Sequence, residues 1–176
     1  MSSYQITTST LKGESDRGAV LIAAAMLELG LEKLLVAKLV ESTVKRDPIF
    51  ENNGALGTFS AKIEMSYRLG LITKKQSVMF NIFRRIRNEF AHNVSSISLS
   101  DSDIRDRLNA AIEDHLVIDA YLSALREKAP EWGMSSESIT INSVSPRNIF
   151  ELIFGLEIEF LNIALMRVEK IKERTG

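Results

Sequence analysis

One long helical pattern does most to limit how this chain can fold. Residues 15–43 read as a single helix, and apolar side chains occur nearly all round it between positions 19 and 31. A helix that is apolar on every side must be surrounded by other elements, so we expect this one at the centre of the fold. Ser15 or Asp16 can cap its start. The pattern therefore predicts a helical protein built around residues 15–43.

Local signals place further helices after the central one. Thr58 or Ser60 can open a helix that Gly70 closes in the left-handed conformation. Thr73 and Gln76 form a capping-box pair, in which each side chain accepts from the backbone N–H of the other residue. The predicted helices run over residues 15–43, 58–70, 74–91, 100–122 and 146–174, with an irregular loop over 129–145.

These elements define an all-α multi-helix bundle. We expect one domain over residues 1–176, because domains usually run to roughly 100–200 residues, with 1–13 as a flexible N-terminal segment. Residues 139–141 are strand-like and fit either a short extended piece or a loop. The helical pattern offers more apolar surface than one short helix needs, so a symmetric homodimer is expected.

Composition excludes several classes of protein. The chain has 176 residues, no Cys, two His and a formal net charge of −1. Without Cys it has neither disulfides nor Cys-based zinc sites, and no cofactor or metal is predicted. A near-neutral charge argues against a broadly basic nucleic-acid binder. No signal peptide and no uninterrupted apolar run of roughly 20 residues is visible, which favours a cytoplasmic protein without a membrane span.

One cluster of residues has chemical content. The end of the helix predicted over 74–91 concentrates three arginines, an amide, a carboxylate and a histidine, namely Arg84, Arg85, Arg87, Asn88, Glu89 and His92. On a straight helix Arg87 and His92 lie roughly 140° apart, so they do not form a contact pair. They converge only if the helix is distorted near Ala91, or if two copies meet about a two-fold axis.

Two interpretations of this cluster stay open. In the functional one, His92 exchanges a proton with a ribose hydroxyl or leaving oxygen while Arg87 stabilises charge on a phosphate. In the structural one, Arg87 pairs with a buried carboxylate and His92 is hydrogen-bonded near the helix end. A third possibility is a nucleotide or small molecule bound in the same cleft.

Three motifs resemble known families. Residues 87–92, Arg-Asn-Glu-Phe-Ala-His, resemble the Arg-polar-three-residue-His motif of the HEPN superfamily. Residues 54–63, Gly-Ala-Leu-Gly-Thr-Phe-Ser-Ala-Lys-Ile, and 67–72, Tyr-Arg-Leu-Gly-Leu-Ile, resemble the mannitol operon repressor (MltR) family, and residues 14–18 fit the same family. The resemblance covers roughly residues 14–93.

The resemblance to the MltR family implies an all-helical regulatory protein. Proteins of this family are named repressors, but the resemblance implies no DNA-reading helix. Such a protein would act through protein or RNA contacts at the Arg87/His92 cleft, without sequence-specific DNA binding. The resemblance to the HEPN superfamily implies an alternative, a metal-independent endoribonuclease of toxin or defence type. In that case Arg87 and His92 would be catalytic and Asn88 would position the substrate, so whether the chain is an enzyme stays open.

The resemblance also suggests a site role for residues at the head of the central helix. Binding residues would then include Glu14, Asp16 and Arg17, with a carboxylate holding the guanidinium of Arg87 in a fixed orientation. The alternative for these residues is helix capping and favourable charge at the positive dipole end.

Other polar residues receive structural interpretations. Gly54, Gly57 and Gly70 are predicted turn formers, and His115 an exposed or satisfied histidine. Two further groups are predicted to lie on solvated or interface faces: the first is Arg105, Asp106 and Arg107, and the second, a polar stripe, is Glu151, Glu157 and Glu159.

Overall fold

The computed structural model describes residues 1–93 and 96–174 and confirms the all-helical class: its regular elements are helices and short 3-10 turns, with no strand in these two ranges. The α-helices are α1 (Ser3–Lys12), α2 (Asp16–Lys38), α3 (Phe59–Arg68), α4 (Lys74–His92), α5 (Ser102–Ile112), α6 (Leu116–Lys128) and α7 (Pro146–Leu165). None of these helices is long and apolar enough to cross a membrane.

Helix α2 is the central helix that its apolar pattern predicts. It packs against α1, α3, α4 and α7. Ala23 and Ala24 are fully buried or nearly so, and their small side chains let neighbouring helices approach closely. Helices α4 and α7 also pack against each other, since Phe154 of α7 stacks on Phe83 of α4 with ring centroids 4.4 Å apart. The core therefore lies between α2, α4 and α7.

The N-terminal segment differs from its prediction, because residues 1–13 are not a flexible tail. Ser2 caps α1 through a capping box with Gln5, and Leu11 is completely buried. Helix α1 crosses α7 at Gly155, where an added Cβ would lie 2.8 Å from side-chain atoms of Tyr4. Only a residue without a side chain permits this approach, so α1 is an integral part of the bundle.

Two predicted helices end earlier than their sequence patterns suggest. Helix α2 stops at Lys38 and not at residue 43, and α7 stops at Leu165 and not near residue 174. The two ends meet, since the backbone N–H of Ile171 donates to the carbonyl oxygen of Lys38 at 2.7 Å. A hydrogen bond between distant segments replaces the extra helical turns in both places.

The pattern over 100–122 is two helices, α5 and α6, where one was predicted. The break falls at His115, whose Nδ1 accepts from the backbone N–H of Val117 and caps α6. The loop over 129–145 holds three short 3-10 turns, and the strand-like residues 139–141 do not form a strand.

Candidate functional site

A groove of about 380 Å³ lies between the start of α3 and the second half of α4. Apolar residues of α4 recur at helical spacing and face the core, which leaves Arg84, Arg87 and Asn88 on its flank. The groove is lined by Arg84, Arg87 and Asn88 from α4, Thr58, Phe59 and Ser60 at the start of α3, and Glu28, Asn52 and Gly57. We call it the arginine groove.

Two glycines position the start of α3 beside α4, as their prediction as turn formers implies. A Cβ on Gly54 would lie 2.2 Å from the carbonyl oxygen of Pro48, and one on Gly57 would lie 2.1 Å from that of Glu51. Real Cβ atoms do not approach backbone so closely, so the loop can fold this tightly only with glycine at both positions. Thr58 then caps α3 by accepting from the backbone N–H of Ala61.

The start of α3 adds positive potential to the arginine groove. Phe59 and Ser60 are its first two residues, and backbone N–H groups in a first turn have no acceptor within the helix. The aligned peptide dipoles add a partial positive charge at the same end. The groove therefore combines helix N–H donors with two guanidinium groups.

The charges of the two arginines are not cancelled by contacts within the described residues. Arg87 donates to the amide oxygen of Asn88 at 3.1 Å, and Arg84 to that of Asn81 at 3.4 Å, while no carboxylate of these residues lies within ion-pair distance of either. The expected alternative, in which Arg87 pairs with a buried carboxylate, is thus not the arrangement found.

Glu28, the carboxylate that lines the groove, is held by a lysine. Lys62 Nζ lies 3.0 Å from Glu28 and 2.8 Å from Glu32. Burial lowers the pKa of Lys62, but hydrogen bonds and attraction from the two carboxylates outweigh burial and leave the pKa raised. Lys62 thus stays charged and forms an ion pair with Glu28. Because Glu28 is paired in this way, the arginines of the groove can bind a carboxylate or phosphate group of a partner.

Glu89 lies outside the groove. Both of its carboxylate oxygens accept from Arg107 of α5, the second at 2.5 Å. This hydrogen bonding outweighs burial and lowers the pKa of Glu89. Arg107, predicted to be solvated, instead links α5 to α4, and Glu89 is its structural partner.

Asp16 also has a structural partner other than Arg87. Its carboxylate lies 2.8 Å from Arg147 Nη1 and accepts from the hydroxyl of Ser98 and the backbone N–H of Leu99, each at 2.9 Å. Burial raises the pKa of Asp16, but these three partners outweigh burial and leave it lowered. Within this chain Asp16 is therefore bound to Arg147 and not to Arg87.

Arg147 is the residue that sequence reasoning missed. It pairs with Glu151 at 2.7 Å and donates to the backbone carbonyls of Leu11 and Glu14. Through Arg147, Asp16 and Glu14 join the α1–α2 turn to the start of α7. The spacing of Arg147 and Glu151, four residues apart on one helix, was the only local signal for this cluster.

Arg17 and His92 lie near the C-terminal end of α4. Arg17 donates to the backbone carbonyl of Asn93 at 2.6 Å. His92 is exposed as the last residue of α4, which is continuous from Lys74, so no distortion brings it toward Arg87. Arg85 is exposed and does not line the groove. Arg87 lines the arginine groove, and His92 is not one of the groove's lining residues.

The remaining acidic residues of α7 are internal acceptors and not a polar stripe or an interface edge. Glu157 is 2% exposed and lies 3.0 Å from His115, which is satisfied in this way. Glu159 accepts from the backbone N–H of Tyr4. With Glu151 on Arg147, all three carboxylates bind partners inside the protein.

The order and packing of the helices define a known class of all-helical bundle. A chain of one solved structure matches 90% of this chain and 98% of its own length, with a TM-score of 0.62 and 15% sequence identity. That structure is the X-ray structure of the MtlR–HPr complex from Escherichia coli. No protein-family model and no curated protein matches the sequence. The chain therefore has the fold of this MtlR structure, in agreement with the resemblance of its sequence motifs to the mannitol operon repressor family.

Proposed function

We propose that this chain is a helical regulatory protein that acts by binding a protein partner. The observation that carries the proposal is the fold shared over 90% of the chain with MtlR, which was solved in complex with HPr. A second support is the arginine groove, since two uncompensated guanidinium groups favour an acidic or phosphorylated surface. The partner that follows from the likeness is an HPr protein, and DNA reading by the chain itself is not part of the proposal.

Isothermal titration calorimetry with HPr proteins from the chain's own organism and from Escherichia coli tests this proposal. We expect saturable binding that weakens with salt, because the groove contributes through charge. Arg84→Ala with Arg87→Ala should reduce affinity about tenfold or more, in line with the cost of losing charged interface contacts. Arg85→Ala is the matched control, since Arg85 is exposed on the same helix outside the groove.

RNA is the other polyanion that the groove would attract, and the same samples distinguish it. Binding of single-stranded RNA that depends on Arg84 and Arg87, with no binding of HPr, would overturn the proposal of a protein partner. Cleavage of that RNA in chelator, lost on Arg87→Ala and on His92→Ala, would favour the endoribonuclease alternative, which requires a cleft shared between two copies.

We also propose that the chain forms a homodimer. Leu29 and Val36 lie two turns apart on one face of α2 and are 52% and 53% exposed, and Ile6 of the neighbouring α1 is 50% exposed. Exposed apolar side chains arranged on one face are typical of an interface. Light scattering after size-exclusion chromatography measures the oligomeric state directly.

A further inference from the structure

A second pocket, independent of the arginine groove, lies on another side of the bundle. It has a volume of about 600 Å³ and is formed by the start of α4, the α5–α6 junction and α7. Its walls are apolar and include Met79, Ala111, Leu116 and Phe160. Pockets of roughly 300–1,000 Å³ with apolar walls and a few convergent polar groups are typical small-molecule sites.

Glu157 and His115 supply buried polar groups at this pocket. Glu157 accepts from Gln76 Nε2 at 2.8 Å and from His115 Nε2 at 3.0 Å. The side chains of Glu157 and His115 are only 2% and 8% exposed. Gln76 is fixed in turn, because its side-chain oxygen accepts from the backbone N–H of Thr73 in the capping box. The pocket is thus built around an oriented carboxylate.

The hydrogen bonds of His115 orient its ring toward this carboxyl group. Because Nδ1 accepts from the backbone N–H of Val117, the ring proton is on Nε2 and is donated to Glu157. Gln76 and His115 therefore each donate one hydrogen bond to the carboxyl group of Glu157. A carboxylate can accept about four hydrogen bonds, and Glu157 accepts two from these partners.

The lysines at the rim are engaged elsewhere. Lys74 lies over the ring of Tyr67, 5.0 Å from its centroid, and Lys75 lies 3.3 Å from Asp114. An anionic ligand among the apolar walls would approach the carboxyl group of Glu157. A ligand that donates hydrogen bonds, such as an amine, instead meets a buried carboxyl group with acceptor capacity left.

We propose that this pocket binds a small molecule with an apolar ring and a hydrogen-bond-donating amine, with the ring between Met79 and Phe160 and the amine on Glu157. The site is distinct from the arginine groove, so it does not depend on the proposed protein partner. A ligand there would contact α4, the α5–α6 junction and α7 at once.

Titration of the ¹⁵N-labelled chain with benzylamine, benzyl alcohol and benzoate, followed by NMR, tests the proposal. We expect benzylamine to bind most tightly, benzyl alcohol more weakly, and benzoate at least tenfold more weakly than benzylamine. The shifted amides should lie around residues 74–79, 111–116 and 157–160. Equal binding of benzoate, or no shifts in these segments with benzylamine at millimolar concentration, would overturn the proposal.

Three variants separate the pocket from other surfaces. Ala111→Leu fills the pocket without changing a charge and should abolish benzylamine binding, whereas Ala110→Leu, at an exposed position of the same helix, should leave it unchanged. Glu157→Gln should weaken benzylamine about tenfold and benzyl alcohol less. If Glu157→Gln does not fold, the alanine pair still decides, because binding that survives Ala111→Leu contradicts the proposed site.

Discussion

At the scale of single residues, the charged side chains divide into structural partners and free groups. Asp16 and Glu89 lie, like Arg87, in the part of the sequence that the family motifs cover. Asp16 is nevertheless bound to Arg147 of α7, and Glu89 to Arg107 of α5. Arg84 and Arg87 bind only neutral amides among the described residues. Arg84 and Arg87 are therefore two charges in this region of the sequence that a partner could bind at the arginine groove.

The Asp16–Arg147 pair leads to a prediction about stability and pH. The pKa of Asp16 is lowered in the folded state from 3.8, so its contribution is present above that pH and is lost as pH falls through the folded pKa. Asp16→Asn should lower the free energy of unfolding at pH 7 by about 2 kcal/mol, since both side chains are partly exposed.

Urea denaturation between pH 7 and pH 3 measures this effect. The difference between wild type and Asp16→Asn should begin to shrink as pH falls below 3.8, because the unfolded chain then takes up a proton at Asp16 while the folded chain, with its lowered pKa, does not yet do so. Asp119→Asn, an exposed carboxylate in the first turn of α6, should change stability little at any pH. A difference at position 16 that does not vary with pH would contradict the account.

At the scale of elements, the crossing of α1 over α7 makes a testable contact. Gly155→Ala places a Cβ 2.8 Å from Tyr4 and Thr8, and should destabilise the chain by about 1–2 kcal/mol even after the gain in helix propensity. Hydrogen exchange should rise across α1. Gly13→Ala, which has no atom within 4 Å of the new Cβ, is the control. Unchanged exchange in α1 for Gly155→Ala would mean that α1 does not pack there.

Local sequence signals predicted helix starts and turns well, but they could not predict contacts between distant segments. The Thr73–Gln76 capping box and Gly70, with a φ of 69°, are found as expected because each depends on neighbouring residues. The pairing of His115 with Glu157, far away in sequence, could not be predicted from the helical pattern.

The candidate site was predictable in part for the same reason. The α4 residues Arg84, Arg87 and Asn88 stand together in the sequence, and their helical spacing correctly separates Arg87 from His92. The opposite wall of the groove comes from α2 and the start of α3. No local pattern links these segments to α4, so the groove itself emerges only from the packing of the helices.

At the scale of the whole molecule, the homodimer can be tested by placing charge on the outer face of α2. The wild-type chain should have twice the monomer mass of 19.7 kDa by light scattering. Leu29→Glu with Val36→Glu should give the monomer mass with unchanged helical circular dichroism, because like charges would meet across the two-fold axis. A wild-type chain that is monomeric at all concentrations would contradict the dimer.

The central claim is that the chain regulates by binding a protein partner through the arginine groove. The most direct test is to map the contact by NMR on the ¹⁵N-labelled chain while unlabelled HPr is added. The account predicts that the perturbed amides cluster at residues 57–60 and 84–88, at both walls of the groove. Saturable binding whose perturbed amides lie elsewhere, or no perturbation by HPr at all, would contradict it.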